Sequence, residues 1–255
     1  MSDDAQQALR RAAALLAQAR NILVLTGAGI SAESGIPTFR EAQTGLWAQY
    51  SPEDLATPEA FARHPERVWA WYRWRRALIA RGGVNAGHRA IAALGGLTRV
   101  FVATQNVDGL HAAAGSLDIA ELHGNIWRDR CSRCDTTVAH EILEPATEDI
   151  AVCRECGAMM RPDVVWFGEM LPIDALRAAE SALDRADAVL VVGTSSRVYP
   201  AAALADAAIE SARPVIEINP QPTGLSDTVD IRLADSASRA LPALVAALDG
   251  VLTSG

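Results

Sequence analysis

Four short apolar runs, each rich in β-branched residues, recur along this chain, and helical stretches lie between them. The runs span residues 21–26, 99–104, 187–192 and 214–218. The helical stretches cover residues 4–19, 88–94, 174–186, 200–211 and 238–248. Short buried strands that alternate with helices are typical of a parallel sheet covered on both faces. The pattern therefore predicts a doubly wound α/β fold with a Rossmann-like parallel sheet.

Two segments interrupt this alternation. Residues 45–83 hold a Trp- and Arg-rich helical stretch, and residues 131–160 hold all four cysteines of the chain. We predict that the first segment is a helical insertion and the second a smaller domain. The Rossmann-like domain is then predicted to consist of residues 1–44, 84–130 and 161–255.

Length, composition and charge exclude several classes of protein. With 255 residues and 50% hydrophobic content, the chain is long enough to bury a sizeable core. The formal net charge of -8 disfavours nucleic-acid or anionic-membrane partners but suits a basic peptide. No apolar run approaches the roughly 20 residues of a membrane span, and the polar N-terminus is unlike a signal peptide. We expect a soluble cytoplasmic protein.

The cysteines have the spacing of a metal site. Cys131-x2-Cys134 and Cys153-x2-Cys156 are separated by 18 residues, and two such pairs can surround one tetrahedral Zn²⁺. Four protein ligands leave no position for a reactive water, so the predicted zinc is structural. Disulfides or a redox C-x-x-C are alternatives, although no strand-to-helix context follows either pair. Acidic residues between the pairs disfavour a nucleic-acid-binding ribbon.

A glycine-rich turn follows the first predicted strand. Residues 27–32 read G-x-G-x-x-A, in which glycines allow a tight turn and a close approach of the backbone to a pyrophosphate. A glycine-rich turn that binds nothing is the alternative. A dinucleotide-binding oxidoreductase would place an acidic residue about 20 positions later, at the end of a second strand. Glu53 and Asp54 instead lie in a Pro-containing segment, which disfavours that class.

Polar side chains follow the second predicted strand. Gln105, Asn106 and Asp108 come directly after Thr104, at the carboxyl end of the strand, where open α/β sheets bind ligands. An Asx-type turn is the alternative interpretation. His123 lies in the sequence Leu-His-Gly, and its imidazole has a pKa suited to a general base, although a lone His is more often a surface or core residue.

Residues 27–40, GAGISAESGIPTFR, resemble the nucleotide-binding signature of sirtuins along their whole length. The Q-N-x-D tetrapeptide at residues 105–108, the Leu-His-Gly around His123 and the cysteine pairs are similar to other sirtuin motifs, and they occur in the family's order. The resemblance covers roughly residues 10–248. It implies an NAD-dependent protein-lysine deacylase that uses NAD as a co-substrate, carries a structural zinc and acts on acylated lysine in proteins or peptides.

The resemblance also implies roles for individual residues. Catalysis is assigned to His123 and Asn106. NAD binding is assigned to Gly27, Ala28, Gly29, Ser31, Glu33, Phe39, Arg40, Gln105, Asn106, Asp108, Gly193, Thr194, Ser195, Asn219, Pro220 and Ala237. In the implied reaction the acyl oxygen attacks the anomeric carbon of the nicotinamide ribose, nicotinamide leaves, and His123 takes a proton from a ribose hydroxyl. The products are free lysine, nicotinamide and O-acyl-ADP-ribose.

Two further segments are assigned to substrate binding. Residues 164–169 alone predict a buried strand. They resemble the sirtuin segment that pairs with the substrate peptide, which implies contacts from Val165, Phe167, Gly168 and Glu169.

Tyr72 and Arg75 lie three residues apart, on one face of a predicted helix. An amphipathic helix with its arginines in water is one interpretation. Tyr-x-x-Arg also resembles the pocket signature of sirtuins that prefer acidic acyl groups. The resemblance therefore implies desuccinylase and demalonylase activity in addition to deacetylase activity.

Three alternative functions remain at this point. An NAD-linked oxidoreductase is disfavoured by the missing ribose-binding acid, and a non-catalytic zinc-ribbon protein is disfavoured by the acidity of the chain. Protein ADP-ribosyl transfer would pass the same activated ribose to another nucleophile.

Overall fold

The computed structural model describes residues 3–37, 47–134, 136–143, 150–195 and 201–254. Its strands are β1 (Asn21–Thr26), β2 (Arg99–Thr104), β3 (Asp118–Glu121), β4 (Gly124–Cys131), β5 (Thr137–Ala139), β6 (Met160–Val164), β7 (Ala188–Val192), β8 (Val215–Ile218) and β9 (Ile231–Leu233). Its α-helices are α1 (Asp3–Leu16), α2 (Pro52–Leu55), α3 (Pro58–Arg63), α4 (Pro65–Gly82), α5 (Ala86–Leu94), α6 (Leu110–Ala113), α7 (Ile173–Arg185), α8 (Ala203–Glu210) and α9 (Ala237–Ser254).

Six strands form one parallel sheet in the order β3-β2-β1-β7-β8-β9. Thr26 at the end of β1 lies opposite Thr104 of β2 and Val192 of β7, and Val192 lies opposite Ile218 of β8. The chain therefore leaves these four strands at one edge of the sheet. The predicted doubly wound α/β fold is confirmed, while β9 was not predicted.

Helices cover both faces of this sheet. Ile22 and Val24 of β1 pack into the core beneath α1, α5 and α9, whereas Leu23 and Leu25 pack into the core beneath α7 and α8. Side chains alternate between the two faces of a strand, so a strand covered on both faces needs apolar residues at every position. This requirement explains why the strands appear in the sequence as uninterrupted apolar runs.

A second, antiparallel sheet has the order β5-β4-β6 and packs against α4. Arg76 of α4 joins the two, because its Nη2 lies 2.6 Å from Asp129 Oδ1 and its Nε donates to the Ile126 carbonyl at 2.6 Å. Both side chains are buried, so removing Asp129 would leave the Arg76 charge without its carboxylate. This sheet begins at Gly124, seven residues before the predicted start of the small domain, and the domain boundaries stay a prediction.

The prediction of a strand over residues 164–169 is wrong beyond its first residue, since β6 ends at Val164. A turn follows, in which Glu169 N donates to the Trp166 carbonyl at 3.0 Å and Gly168 has a φ of 86°. The Glu169 carboxylate accepts from Trp166 N at 2.8 Å and closes this turn. An apolar pattern does not reveal such a side-chain contact, which is why the sequence alone indicated a strand.

None of the helices in the described part of the chain is long and apolar enough to cross a membrane.

Candidate active site

The loop after β1 packs directly on the loop after β7. Gly29 N donates to the Gly193 carbonyl at 2.7 Å, and a Cβ atom on Gly29 would lie 2.7 Å from the Gly193 Cα. Gly193 itself has a φ of 58°, in the left-handed region that favours glycine. Both positions therefore require glycine, and the result is an exposed backbone edge at the carboxyl ends of the strands.

Side chains from neighbouring loops connect this edge. Gln105 Nε2 donates to Thr194 Oγ1 at 3.3 Å, and Asn219 Nδ2 donates to the Thr194 carbonyl at 3.1 Å. Asn106 Nδ2 donates to the Gly27 carbonyl at 3.1 Å. The loops that follow β1, β2, β7 and β8 thus meet in one place, which brings together most of the residues predicted to bind NAD.

A buried hydroxyl–carboxylate pair lies beneath this edge. Ser31 Oγ donates to Asp108 Oδ2 at 2.7 Å, and Asn106 Nδ2 lies 3.3 Å from the same Ser31 oxygen. His88 Nε2 lies 3.4 Å from it. Burial lowers the pKa of His88, the Asp108 carboxylate opposes this shift and Arg89 adds to it. The arrangement fixes the orientation of three residues predicted from the sequence.

His111 lies next to this network, with its ring centroid 5.1 Å from that of His88. Thr26 Oγ1 donates to Thr104 Oγ1 at 2.8 Å, so it accepts from His111 Nε2 at 2.9 Å. Burial, with a smaller contribution from His88, lowers the pKa of His111 to about 3. The ring is therefore neutral, and its buried Nδ1 has no hydrogen-bond partner among the described residues.

Sequence reasoning assigned no role to His88 or His111. Each lies three residues after a polar residue of the site region, since His88 follows Asn85 and His111 follows Asp108. Asn85 caps α5 by accepting from Gly87 N and His88 N. That spacing is the only local signal that could have drawn attention to them, because the contacts they make are long-range.

His123 lies between β3 and β4, facing the loop after β2. Its Nδ1 is 2.9 Å from the Gln105 carbonyl, so Nδ1 carries the proton and Nε2 is left as a proton acceptor. Burial lowers the pKa of His123 below its ordinary 6.5, and the hydrogen bond to Gln105 opposes that shift. The neutral imidazole of a general base is therefore the form present at neutral pH.

The four cysteine sulfurs converge at the far end of β4 and β6. They all lie within 4.8 Å of one another, with Cys131 and Cys156 Sγ 3.4 Å apart and Cys134 and Cys153 Sγ 3.6 Å apart. A tetrahedral zinc with Zn–S bonds of about 2.3 Å requires sulfurs about 3.8 Å apart. The cluster fits a structural Zn²⁺ bound by four thiolates.

β4 and β6 link this cluster to His123. Cys131 lies opposite Met160 at one end of the strand pair, and Gly124 lies opposite Val164 at the other. Immediately beyond that end, Val165 N donates to the His123 carbonyl at 2.9 Å. The same two strands thus carry the four cysteines at one end. At the other end they carry His123, the candidate base, and the candidate peptide-binding segment that begins at Val165.

Glu169 and the segment before it form a closed turn. Glu169 accepts from Arg161 Nη1 at 2.6 Å and from Arg130 Nη2 at 2.9 Å, in addition to its contact with Trp166 N. Phe167 N donates to the Ala56 carbonyl at 2.9 Å, while the Phe167 side chain is 54% exposed. The turn is therefore held from inside by Glu169 and presents its apolar side chain to solvent.

Tyr72 and Arg75 of α4 are buried, at 4% and 8% exposure, although an amphipathic helix would place an arginine in water. Arg75 Nη1 is buried and has no hydrogen-bond partner among the described residues. Burial lowers the pKa of Arg75, and electrostatic interactions with Tyr72 and Asp108 oppose that shift. Burial raises the pKa of Tyr72 to about 12, so the phenol keeps its proton.

The remaining residues that the sequence assigned to NAD binding lie at the margins of this site or outside the described residues. Glu33 and Ser195 are exposed, and Ala237 is the first residue of α9, packed against Gly87 of α5. Pro220 follows Asn219 in the loop after β8. Phe39 and Arg40 lie outside the described residues.

Comparisons with known proteins agree with this geometry. The family model described as Sir2 family matches residues 27–200. A protein from Mycobacterium tuberculosis named NAD-dependent protein deacylase is 50% identical over 234 residues, which are 91% of this chain and 99% of that protein. A solved Sir2 homologue mutant in complex with ADP-ribose has a TM-score of 0.89 at 40% identity and covers 100% of this chain and 99% of its own. A solved complex of Sir2 with a p53 peptide and NAD⁺ has a TM-score of 0.78 at 31% identity, covering 93% of this chain and 97% of its own.

Proposed function

We propose that this chain, which belongs to the Sir2 family and is an NAD-dependent protein deacylase, removes succinyl and malonyl groups from lysine side chains in addition to acetyl groups. Its acyl acceptor is the ADP-ribose part of NAD, and nicotinamide is released. The observation that carries the acidic-acyl preference is the buried Arg75 guanidinium of α4, whose Nη1 has no hydrogen-bond partner among the described residues.

A buried guanidinium nitrogen without an acceptor is costly, and proteins rarely retain one without a reason. A carboxylate at the end of a succinyl or malonyl chain would supply charge-assisted hydrogen bonds to Arg75, which guanidinium geometry favours. Tyr72 is on the same face of α4 and is a neutral phenol, so it can donate a hydrogen bond to the same carboxylate. An acetyl group offers neither residue a partner.

The loops at the carboxyl edge of the sheet are proposed to bind NAD through the residues predicted from the sequence. The backbone edge made by Gly29 and Gly193 would accept the pyrophosphate, because no side chain blocks its approach. Gln105, Asn106 and Asp108 would bind the nicotinamide half. His123 Nε2 would accept a proton from a ribose hydroxyl. The oxygen of that hydroxyl would then attack the carbon that was the carbonyl carbon of the acyl group.

The substrate would bind as an extended peptide along residues 165–169. The N–H groups of Val165, Trp166 and Phe167 already donate within the chain. A substrate peptide that pairs with this segment as an added strand would therefore bind to its backbone carbonyls and to the Gly168 N–H. Glu169, assigned from the sequence to substrate contact, would act by holding the turn closed.

Arg75→Met tests the acyl preference. We expect kcat/KM for a succinyl-lysine peptide to fall about 100-fold, as expected for the loss of charge-assisted hydrogen bonds. The acetyl form of the same peptide should lose less than about fivefold, since it makes no such bonds. Mass spectrometry of acetyl, malonyl, succinyl and glutaryl forms, with and without NAD, gives both values.

Arg81→Met is the matched control, because Arg81 is an exposed cation on the same helix. It should leave the ratio of desuccinylation to deacetylation unchanged. If Arg75→Met lowers kcat/KM equally for both peptides, Arg75 does not bind the carboxylate of the acyl group. That outcome would refute its assignment to the acyl pocket without refuting the deacetylase activity.

The pH dependence should show the lowered pKa of His123. A base acts when deprotonated, so the acidic limb of kcat/KM for an acetyl peptide should be centred below pH 6.5. His111, with a pKa of about 3, titrates below the pH range assayed. Initial rates between pH 5 and 9, with circular dichroism as a check on folding, measure the profile. An acidic limb centred at or above 6.5 would contradict the assignment.

A further inference from the structure

Trp166, in the turn after β6, and Tyr72, on α4, are joined by a hydrogen bond. Trp166 Nε1 lies 2.9 Å from the Tyr72 hydroxyl oxygen, and the two residues are 2% and 4% exposed. An indole nitrogen only donates, so the Tyr72 oxygen is the acceptor in this bond. The phenol proton is therefore left for a different acceptor, and among the described residues none accepts it.

The Trp166 ring is itself firmly held. The Arg161 guanidinium lies over it, 3.3 Å from the ring centroid, and Phe61 packs at 5.5 Å between ring centroids. Glu169 binds both Arg161 and the Trp166 backbone N–H. The orientation of the indole N–H thus follows from the same contacts that close the turn after β6.

We propose that Trp166 is a specificity-determining positioning residue, which holds the Tyr72 hydroxyl so that its proton is donated to the distal carboxylate of an acidic acyl group. This inference rests on the proposed preference for acidic acyl groups. Accepting the indole bond fixes the phenol oxygen and makes the hydroxyl a stronger donor, since linked hydrogen bonds polarise each other. Burial of Tyr72, which keeps the phenol protonated, supports the role.

Arg75, Tyr72 and Trp166 then play separate parts. Arg75 supplies the charge that attracts the carboxylate, whereas Tyr72 supplies a directed donor. Trp166 touches no part of the acyl group in this proposal and acts only through Tyr72. Its removal should therefore weaken binding of an acidic acyl group, seen in KM, and should affect an acetyl group much less.

The test is a double-mutant cycle with Trp166→Phe, Tyr72→Phe and the double variant, assayed on acetyl and succinyl forms of one peptide. We expect Trp166→Phe to lower kcat/KM for the succinyl peptide about fivefold to tenfold, chiefly through KM, as for one lost hydrogen bond. The acetyl peptide should lose less than about twofold. The double variant should be no worse than Tyr72→Phe on the succinyl peptide, because the Trp166 indole acts on the acyl group only through Tyr72 and the backbone of residue 166 is unchanged.

Trp69→Phe is the matched control. Trp69 is 3% exposed, and its Nε1 donates to the Met160 carbonyl at 3.0 Å, so the change removes an equivalent buried bond that does not involve Tyr72. It should affect both peptides equally. If Trp166→Phe does not fold, a tryptophan analogue with sulfur in place of the ring N–H, incorporated at position 166, deletes the same donor and keeps the ring shape.

Equal losses on the two peptides in Trp166→Phe, or losses that add fully to those of Tyr72→Phe, would overturn this inference while leaving the acidic-acyl activity in place. A wild-type enzyme without succinyl turnover would overturn both proposals. The wild-type assay therefore separates the two failures.

Discussion

His123→Ala is expected to lower the rate of deacylation by about 10²–10⁴-fold, the range that a positioned general base contributes. The imidazole is held by the Gln105 carbonyl through Nδ1, so Nε2 is the nitrogen available to take a proton. Alanine removes that nitrogen but keeps the backbone carbonyl that accepts from Val165 N. The fold should therefore persist, and circular dichroism with thermal unfolding should show it.

The stage at which the variant stops is informative. In the proposed reaction His123 acts after nicotinamide has left, so exchange of labelled nicotinamide into NAD should survive better than formation of free lysine. Mass spectrometry of the peptide product and a label-exchange assay measure the two stages. His64→Ala is the control, since His64 is exposed, and it should retain activity within about twofold. Near-normal turnover in His123→Ala would remove this residue from the mechanism.

Loss of zinc should be the most damaging change to structure. Cys153→Ser leaves three thiolates, and we expect zinc to fall from about one ion per chain towards none after dialysis against a chelator. Because metal binding in such modules is coupled to folding, Tm should fall by about 10 °C or more. Plasma emission spectrometry and calorimetry on the same samples measure both quantities.

Activity should fall with the metal, although the cysteines lie at the opposite end of β4 and β6 from His123. Releasing Cys131 opposite Met160 frees one end of the strand pair that places His123 against Val165. Ser132→Ala is the matched control, because Ser132 is exposed between two of the cysteines and should keep both zinc and activity. A zinc-free Cys153→Ser protein with unchanged Tm and turnover would show that the cluster is dispensable.

Features that depend on local chemistry could be predicted from the sequence. Strands such as residues 21–26 are buried on both faces, which requires an apolar residue at every position and so leaves an uninterrupted run. The spacing of Cys131, Cys134, Cys153 and Cys156 indicates a metal because two short knuckles suffice to surround one ion. Gly29 was recognisable for a related reason, since a tight turn at a strand end requires glycine.

Features that depend on contacts between distant segments were decided by the tertiary structure alone. Nothing local in the sequence places His111 beside Thr26, or shows that residues 166–169 turn back because Glu169 binds Arg161 and Trp166. Burial of the Arg75 guanidinium likewise has no local signal, as a helical arginine pattern predicts exposure. The sequence determined which groups this protein possesses. The packing of β4, β6 and α4 decided which of them meet, because hydrogen bonds and desolvation depend on neighbours that lie far apart along the chain.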